Sequence, residues 1–375
     1  MKIVFLNSHP IAYFSDLYKF LSKSGINFEV WYCSKYGIKK HYDKEFNSYR
    51  VTKDLTNGFK FKFLYNFKLN STGEEKLLDT LNPFLFFDLL SLKRGDIIIC
   101  HGWSRITMLF TIFFSRVFGL KVGLRAETPI IHEKNYHGFK RKIRKIFLQL
   151  VFKKIDYFFY IGTYNKQFYK SFGISDNQLI SMPYSVKPKK VPFKQNIKRK
   201  NKILFCGKLI NKKRPLDLLK AYCLLKDPKL EINFAGDGCQ RYLLEKFSIE
   251  NKIANKINFL GLLSFEKLDE IYNQSDCIVL PSGYGETWGL VLNEALEHSL
   301  PIIVSDMVGG SIDLCQNNGY IFEYSNVQDL ANKIKDLYNA NDYDFEIMRK
   351  NSFKIKEKFS FSEILNNLNK FLINA

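Results

Sequence analysis

The chain has 375 residues, 46% of them hydrophobic and 16% aromatic, and a formal charge of +20. That length supports two ordinary domains with separate cores, and that composition excludes a disordered chain. The charge asks for an anionic partner, whether nucleic acid, a lipid surface or a phosphorylated substrate, although a genome rich in Lys, Asn, Ile and Phe codons would also produce it.

Strand-like runs alternate with helical patterns from the start: KIVFLN (2–7), FEVWYC (28–33), DIIICHG (96–102), LKVGLRA (120–126) and DYFFYIG (156–162). The rhythm resumes with KILFCG (202–207), LEINFAG (230–236), INFLG (257–261), DCIVLPS (276–282) and PIIVSD (301–306). Continuous apolar runs bounded by Gly, Asp or Pro suit parallel strands covered on both faces. Intervening helices such as PLDLLKAYCLL and TWGLVLNEALEHS make these βαβ units, hence an α/β, doubly wound fold. Between the halves, 187–201 is basic and free of acids, and reads as a linker. The expected domains are therefore 1–186 and 202–375, the second ending in a helical tail.

Seven cysteines (Cys33, Cys100, Cys206, Cys223, Cys239, Cys277, Cys315) never form CxxC, and most lie in apolar runs. They read as buried thiols of a reducing compartment. MKIVFLNSHP is too short an apolar run for a signal peptide, and ITMLFTIFF (106–114) is too short to span a bilayer. The chain is expected to be cytoplasmic, or peripheral on the cytoplasmic face of a membrane.

Motifs gather at the strand ends of the second half. GKLINKKRP (207–215) follows a strand, so Lys208 and Lys213 or Arg214 can reach a phosphate; the same residues also read as a basic surface loop with Pro215 opening a helix. GDG (236–238), FLG (259–261) and SGYGE (282–286) are further glycine turns at strand ends. Glu286 and Glu294 lie eight positions apart, about 80° around one helix, so they suit a loop carboxylate and a helix carboxylate flanking a helix N-terminus. Such a pair fits a ligand with hydroxyls and phosphate, or it merely complements the helix dipole.

Taken in order, GKLINKKRP, FAGDG, FLG and ETWGLVLNEAL resemble family 4 glycosyltransferases, retaining enzymes of the GT-B fold, in which two Rossmann-like domains face each other across a cleft. SMPYSVK (181–187) resembles the strand end leading into that family's linker. The resemblance implies that Lys213 and Lys208 meet the donor diphosphate, Lys208 standing where an arginine is usual. It implies that Glu286 contacts donor-sugar hydroxyls and Glu294 the ribose. Gly289, Leu290 and Val291 match the turn whose N–H groups face the diphosphate, while Gly236 and Leu262 match the walls around the nucleoside. Trp288 replaces the commoner phenylalanine.

The first half is further from the family pattern, though NSHPIAYFSDLY (7–18), HGWSRITM (101–108) and LRAETP (124–129) resemble a subgroup of bacterial surface-polysaccharide assembly. His9, Tyr13, His101, Arg125 and Glu127 are its acceptor-side candidates, each of which also reads as a local hydrogen-bonding or capping residue. Glu127 stands where many relatives have a nearby histidine.

The implied activity moves a sugar from a nucleotide-diphosphate donor, a co-substrate rather than a cofactor, to a glycan or glycolipid acceptor. No metal is expected: DYD (342–344) matches a DxD motif only formally, lies in a polar tail, and reads as a turn. Segment 138–154 carries seven Lys or Arg among Phe147, Leu148, Leu150, Val151 and Phe152, and reads as a helix on an anionic membrane or as an ordinary amphipathic helix. The rival readings are a nucleic-acid-binding protein using the +20 charge, which lacks any RRM, KH or helix-turn-helix pattern, and a GT-B epimerase, against which the spacing of the glutamates argues.

Overall fold

A computed structural model of the chain describes residues 1–38, 41–43, 48–50, 55–68, 76–189 and 192–374. The chain forms two compact units: Met1–His41, Tyr49–Lys187 and Phe361–Ala375 make the first, and Tyr42–Ser48 with Pro188–Ser360 the second.

The strands up to residue 181 are β1 (Ile3–Asn7), β2 (Phe28–Tyr32), β3 (His41–Asp43), β4 (Ser48–Arg50), β5 (Phe61–Phe63), β6 (Ile97–His101), β7 (Lys121–Arg125), β8 (Tyr157–Tyr160) and β9 (Leu179–Ser181). β3 pairs with β4 in a small sheet of its own. The other seven form the first unit's sheet in the order β5-β2-β1-β6-β7-β8-β9, and their paired registers are parallel. Helices α1 (Ala12–Leu21), α2 (Leu85–Leu90), α3 (Ile106–Phe114), α4 (Gly138–Phe152) and α5 (Thr163–Lys170) connect them. The run ITMLFTIFF is α3, a covering helix.

The second unit repeats the plan with β10 (Lys202–Cys206), β11 (Glu231–Ala235), β12 (Ile257–Gly261), β13 (Cys277–Leu280), β14 (Ile302–Ser305) and β15 (Gly319–Phe322) in the order β12-β11-β10-β13-β14-β15. Its helices are α6 (Pro215–Leu225), α7 (Arg241–Glu250), α8 (Phe265–Asn273), α9 (Leu290–Glu297), α10 (Ser311–Leu314), α11 (Val327–Asn339) and α12 (Asp342–Lys358). Ile203, Phe205, Ile232, Phe234, Val279 and Ile303 are wholly buried, as strands covered on both faces require. In each sheet the strand order reverses at one place, β1/β6 in the first and β10/β13 in the second, and a doubly wound sheet binds ligands at the carboxyl ends beside such a switch.

Three features depart from the sequence expectation. The last helix, α13 (Phe361–Asn374), belongs to the first unit rather than to a tail of the second. Its apolar face of Phe361, Ile364, Leu368 and Phe371 is buried, with Phe371 edge-on to Tyr157 at 4.8 Å and Phe361 against Phe20 at 5.7 Å. The expected linker is fastened to the second unit at several points. Arg199 donates to the carbonyls of Tyr338 (2.9 Å) and Asn341 (3.0 Å), and the Lys200 amide to Asp276 (2.9 Å). DYD is the first turn of α12, not a turn by itself, because Asn341 caps that helix by accepting from the Asp344 amide at 2.8 Å.

Candidate functional site

In the second unit, four loops at the strand ends are tied together by backbone bonds. The Gly207 amide donates to Ala235 O (2.9 Å), Gly236 to Gly261 O (2.8 Å), Gly283 to Lys212 O (3.1 Å) and Gly309 to Glu286 O (2.9 Å). Close approach of backbones explains the glycines. Gly236 has φ +140°, and a Cβ there would overlap the Gly207 carbonyl, whose carbon would lie 2.8 Å away. Lys208 is half-buried at the end of β10, and Leu262 is exposed just after β12.

The two glutamates occupy the two kinds of position that their spacing implied. Glu286 lies in the loop, is 8% exposed and forms an ion pair with Lys213, which stands in the turn after β10. Glu294 is on α9, half-buried, with Oε2 accepting from the Tyr272 hydroxyl at 2.7 Å. Burial raises the Glu294 carboxyl above the usual carboxylate range, while Tyr272 and Lys189 pull the other way. Gly289 opens α9 at φ +95°, and no side chain caps the helix there, so Leu290 and Val291 begin it with bare backbone N–H groups. A Cβ on Gly289 would also press on Leu280 Cδ2 at 2.9 Å. Trp288 is buried, donates from Nε1 to Asn293 at 2.7 Å and packs on Phe359, so it supports the loop from below. This arrangement is a half-buried carboxylate, an ion-paired lysine and a helix start, the chemistry that receives hydroxyls together with phosphate.

In the first unit, four of the five acceptor-side candidates gather around Phe14 and Tyr184. Arg125 ends β7 at 2% exposure, with its guanidinium 4.4 Å from the Tyr184 ring centroid and 4.8 Å from that of Phe14. Its Nη1 lies 3.9 Å from Glu127, which also accepts from the Tyr184 hydroxyl. The Tyr13 hydroxyl is 3.3 Å from that of Tyr184, and burial pushes its pKa above the ordinary phenol range. His101 ends β6 with its ring edge-on to Phe14 at 4.6 Å, and both ring nitrogens are buried without a partner among the described residues. Burial, with Arg125 adding to it, holds the imidazole neutral at neutral pH. His9 is apart from these, hydrogen-bonded through Nδ1 to Ser8 Oγ (2.9 Å) and edge-on to Tyr36.

Sequence reasoning passed over Tyr184 and Tyr272 as site members. Tyr184 lay within a quoted strand-end motif, whereas Tyr272 sits 22 residues before Glu294 with no local mark beyond its aromatic character.

Residues 187–354 match the family described as Glycosyl transferases group 1. One curated relative is the GalNAc-α-(1→4)-GalNAc-α-(1→3)-diNAcBac-PP-undecaprenol α-1,4-N-acetyl-D-galactosaminyltransferase of Campylobacter jejuni. It is 26% identical over 250 residues, covering 65% of this chain and 67% of that protein. Among solved structures, the lipopolysaccharide outer core galactosyltransferase WaaB superposes with a TM-score of 0.70 at 17% identity, over 100% of this chain and 99% of its own. Anabaena Alr3699/HepE, in complex with UDP and glucose, gives 0.71 at 14% over 100% of both. These two likenesses establish the fold. None of these matches supports a nucleic-acid-binding protein or an epimerase.

Proposed function

We propose that the chain, whose residues 187–354 match the Glycosyl transferases group 1 family and which has the GT-B fold, is a retaining, metal-independent enzyme that moves a hexose-type sugar from a nucleoside-diphosphate sugar to a surface glycan or lipid-linked acceptor. The observation that carries this reading is the Lys213–Glu286 pair in the loops before α9. Cleaving the sugar–phosphate bond throws negative charge onto the diphosphate. Lys213, with Lys208, neutralises that charge, and the amides of Gly289, Leu290 and Val291 add the positive end of a helix. Glu286 then receives donor-sugar hydroxyls and Glu294 those of the ribose, while Gly236 and Leu262 flank the nucleoside. The departing phosphate oxygen takes the acceptor proton, so no second carboxylate at glycosidase separation is required. Tyr13, His101, Arg125 and Glu127 serve the acceptor, and His9 is left to hold its own loop.

A panel of nucleotide sugars, read by thermal stabilisation and then by transfer, tests the donor class. UDP-sugars lead the panel, since HepE holds UDP. In the active pair, EDTA should leave transfer intact, because two lysines and a helix start supply the positive charge. Activity abolished by chelation and restored by Mg²⁺ or Mn²⁺ would overturn the metal-independent mechanism.

An anionic membrane surface on the cytoplasmic side is the second partner in this proposal, and α4 supports it. No helix among the described residues is long and apolar enough to cross a bilayer. On α4, Leu148, Val151 and Phe152 are buried. On the opposite side of the helix, Phe139 (77% exposed), Ile143, Ile146 and Leu150 form an exposed stripe at helical spacing. Lys140, Lys142, Lys153 and Lys154 flank that stripe, whereas Arg144 turns to Glu133, its Nη2 and Nε donating to Oε1 at 2.8 and 3.2 Å. An exposed apolar stripe between lysines suits the boundary of an anionic bilayer. Charge reversal of Lys140, Lys142 and Lys154 should therefore release the protein from anionic vesicles in a sedimentation assay and leave donor binding unchanged. Failure of the unmodified protein to sediment with anionic vesicles at low salt would leave α4 a solvated face.

A further inference from the structure

Tyr272 is 1% exposed on α8, yet its hydroxyl reaches one specific partner on another helix. It lies 2.7 Å from Glu294 Oε2 and 3.4 Å from Val291 O, and a phenol has a single proton to donate, so the carboxylate takes it. The ring itself has little freedom. It stacks on His298 with centroids 4.9 Å apart and planes 10° from parallel, and His298 Nδ1 is held by Asn273 Oδ1 at 2.9 Å. Burial keeps the phenol protonated, so it is a permanent donor, and burial holds His298 neutral by lowering its pKa to about 4.

We infer that Tyr272 is a positioning residue for the donor: it fixes one oxygen of Glu294 and leaves the other aimed at the ribose hydroxyls. The inference rests on the ribose role proposed for Glu294. A carboxylate on a flexible stem spreads its acceptor directions over several rotamers, and a vicinal diol needs one of them. A buried hydroxyl that only donates selects the rotamer and rewards the ionised form that the diol requires. The other groups facing this carboxylate are the Lys189 ammonium, which also pairs with Asp269, and the Cys206 thiol, pushed up to about 12 by burial, while Glu297 on α9 is held by Lys356 and the Lys189 amide. The thiol does not change charge in the acid range and Lys189 stays cationic there, whereas the His298 imidazole, lowered to about 4, takes a proton in acid. Only the part of the acid limb that Glu294→Gln abolishes therefore reports Glu294.

Calorimetric titration with UDP and with its 2′,3′-dideoxy analogue tests this. Tyr272→Phe keeps the ring and its stack and removes only the donor. It should weaken UDP about tenfold, the scale of one hydrogen bond to a charged group, and leave the dideoxy analogue unchanged. Glu294 loses the hydroxyl that favours its ionised form, so its pKa rises further, and the acid limb of UDP binding should move to higher pH. Equal losses for both nucleotides, or an unmoved acid limb, would show a merely structural tyrosine. If Glu294→Ala loses UDP affinity while Tyr272→Phe does not, the positioning role falls and the ribose role stands. If Glu294→Ala loses nothing, the ribose role falls and takes the inference with it.

Discussion

Lys213→Ala is expected to lower turnover by about 10²–10³-fold, the usual consequence of removing one group that stabilises developing charge. The lysine is held by Glu286, and both side chains are largely shielded from water. Its ammonium is therefore already placed, and little reorganisation precedes bond cleavage. The single variant has a second consequence, since it leaves a buried carboxylate without its cation, which is costly to the fold as well. Lys213→Ala/Glu286→Gln separates the two effects: thermal stability should recover in the double variant and turnover should not. Affinity for UDP should fall in both variants, because the missing charge faces the diphosphate in the ground state too. Unchanged turnover in folded Lys213→Ala would remove the lysine from the mechanism.

The strands were legible because each is a short apolar run with Gly, Asp or Pro at its ends, as in KILFCG and DCIVLPS. The edge strands β5, β9 and β15 were not, since FKF, LIS and GYIF are too short or too polar to carry a pattern. The loop-and-helix placement of Glu286 and Glu294 followed from their angular spacing together with the glycines Gly283 and Gly285 before the first of them. The return of α13 to the first unit had no local signature. Its amphipathic face fits any apolar surface, and contacts distant in sequence, such as those with Tyr157, Phe159 and Phe20, decide which one. Arg144 illustrates the same limit. It looked like one more cation of a basic run, and a single glutamate eleven residues earlier turns it inward. Tyr272 was invisible because its role is set by contact across two helices, which no spacing rule encodes.

Gly236→Ala should be among the most damaging small substitutions in the second unit. Two costs combine at this position. The backbone there has φ +140°, which a residue with a side chain adopts only under strain of about 1–3 kcal/mol. The new methyl would also occupy the Gly207 carbonyl, and neither backbone can yield, because Gly207 donates to Ala235 O and Gly236 to Gly261 O. Overpacking of this sort adds roughly another 1–3 kcal/mol. Gly173→Ala isolates the first cost, since Gly173 has φ +81° and a methyl added there would meet nothing within 4 Å. That control should lose roughly 1 kcal/mol and keep UDP affinity. Gly236→Ala should instead lose UDP affinity together with thermal stability, because moving the Gly207 loop displaces Lys208 and Lys213 from the same strand end. Thermal unfolding followed by titration with UDP distinguishes the cases. If Gly236→Ala melts with the control and binds UDP as the unmodified protein does, the close packing of these loops does not hold the donor site.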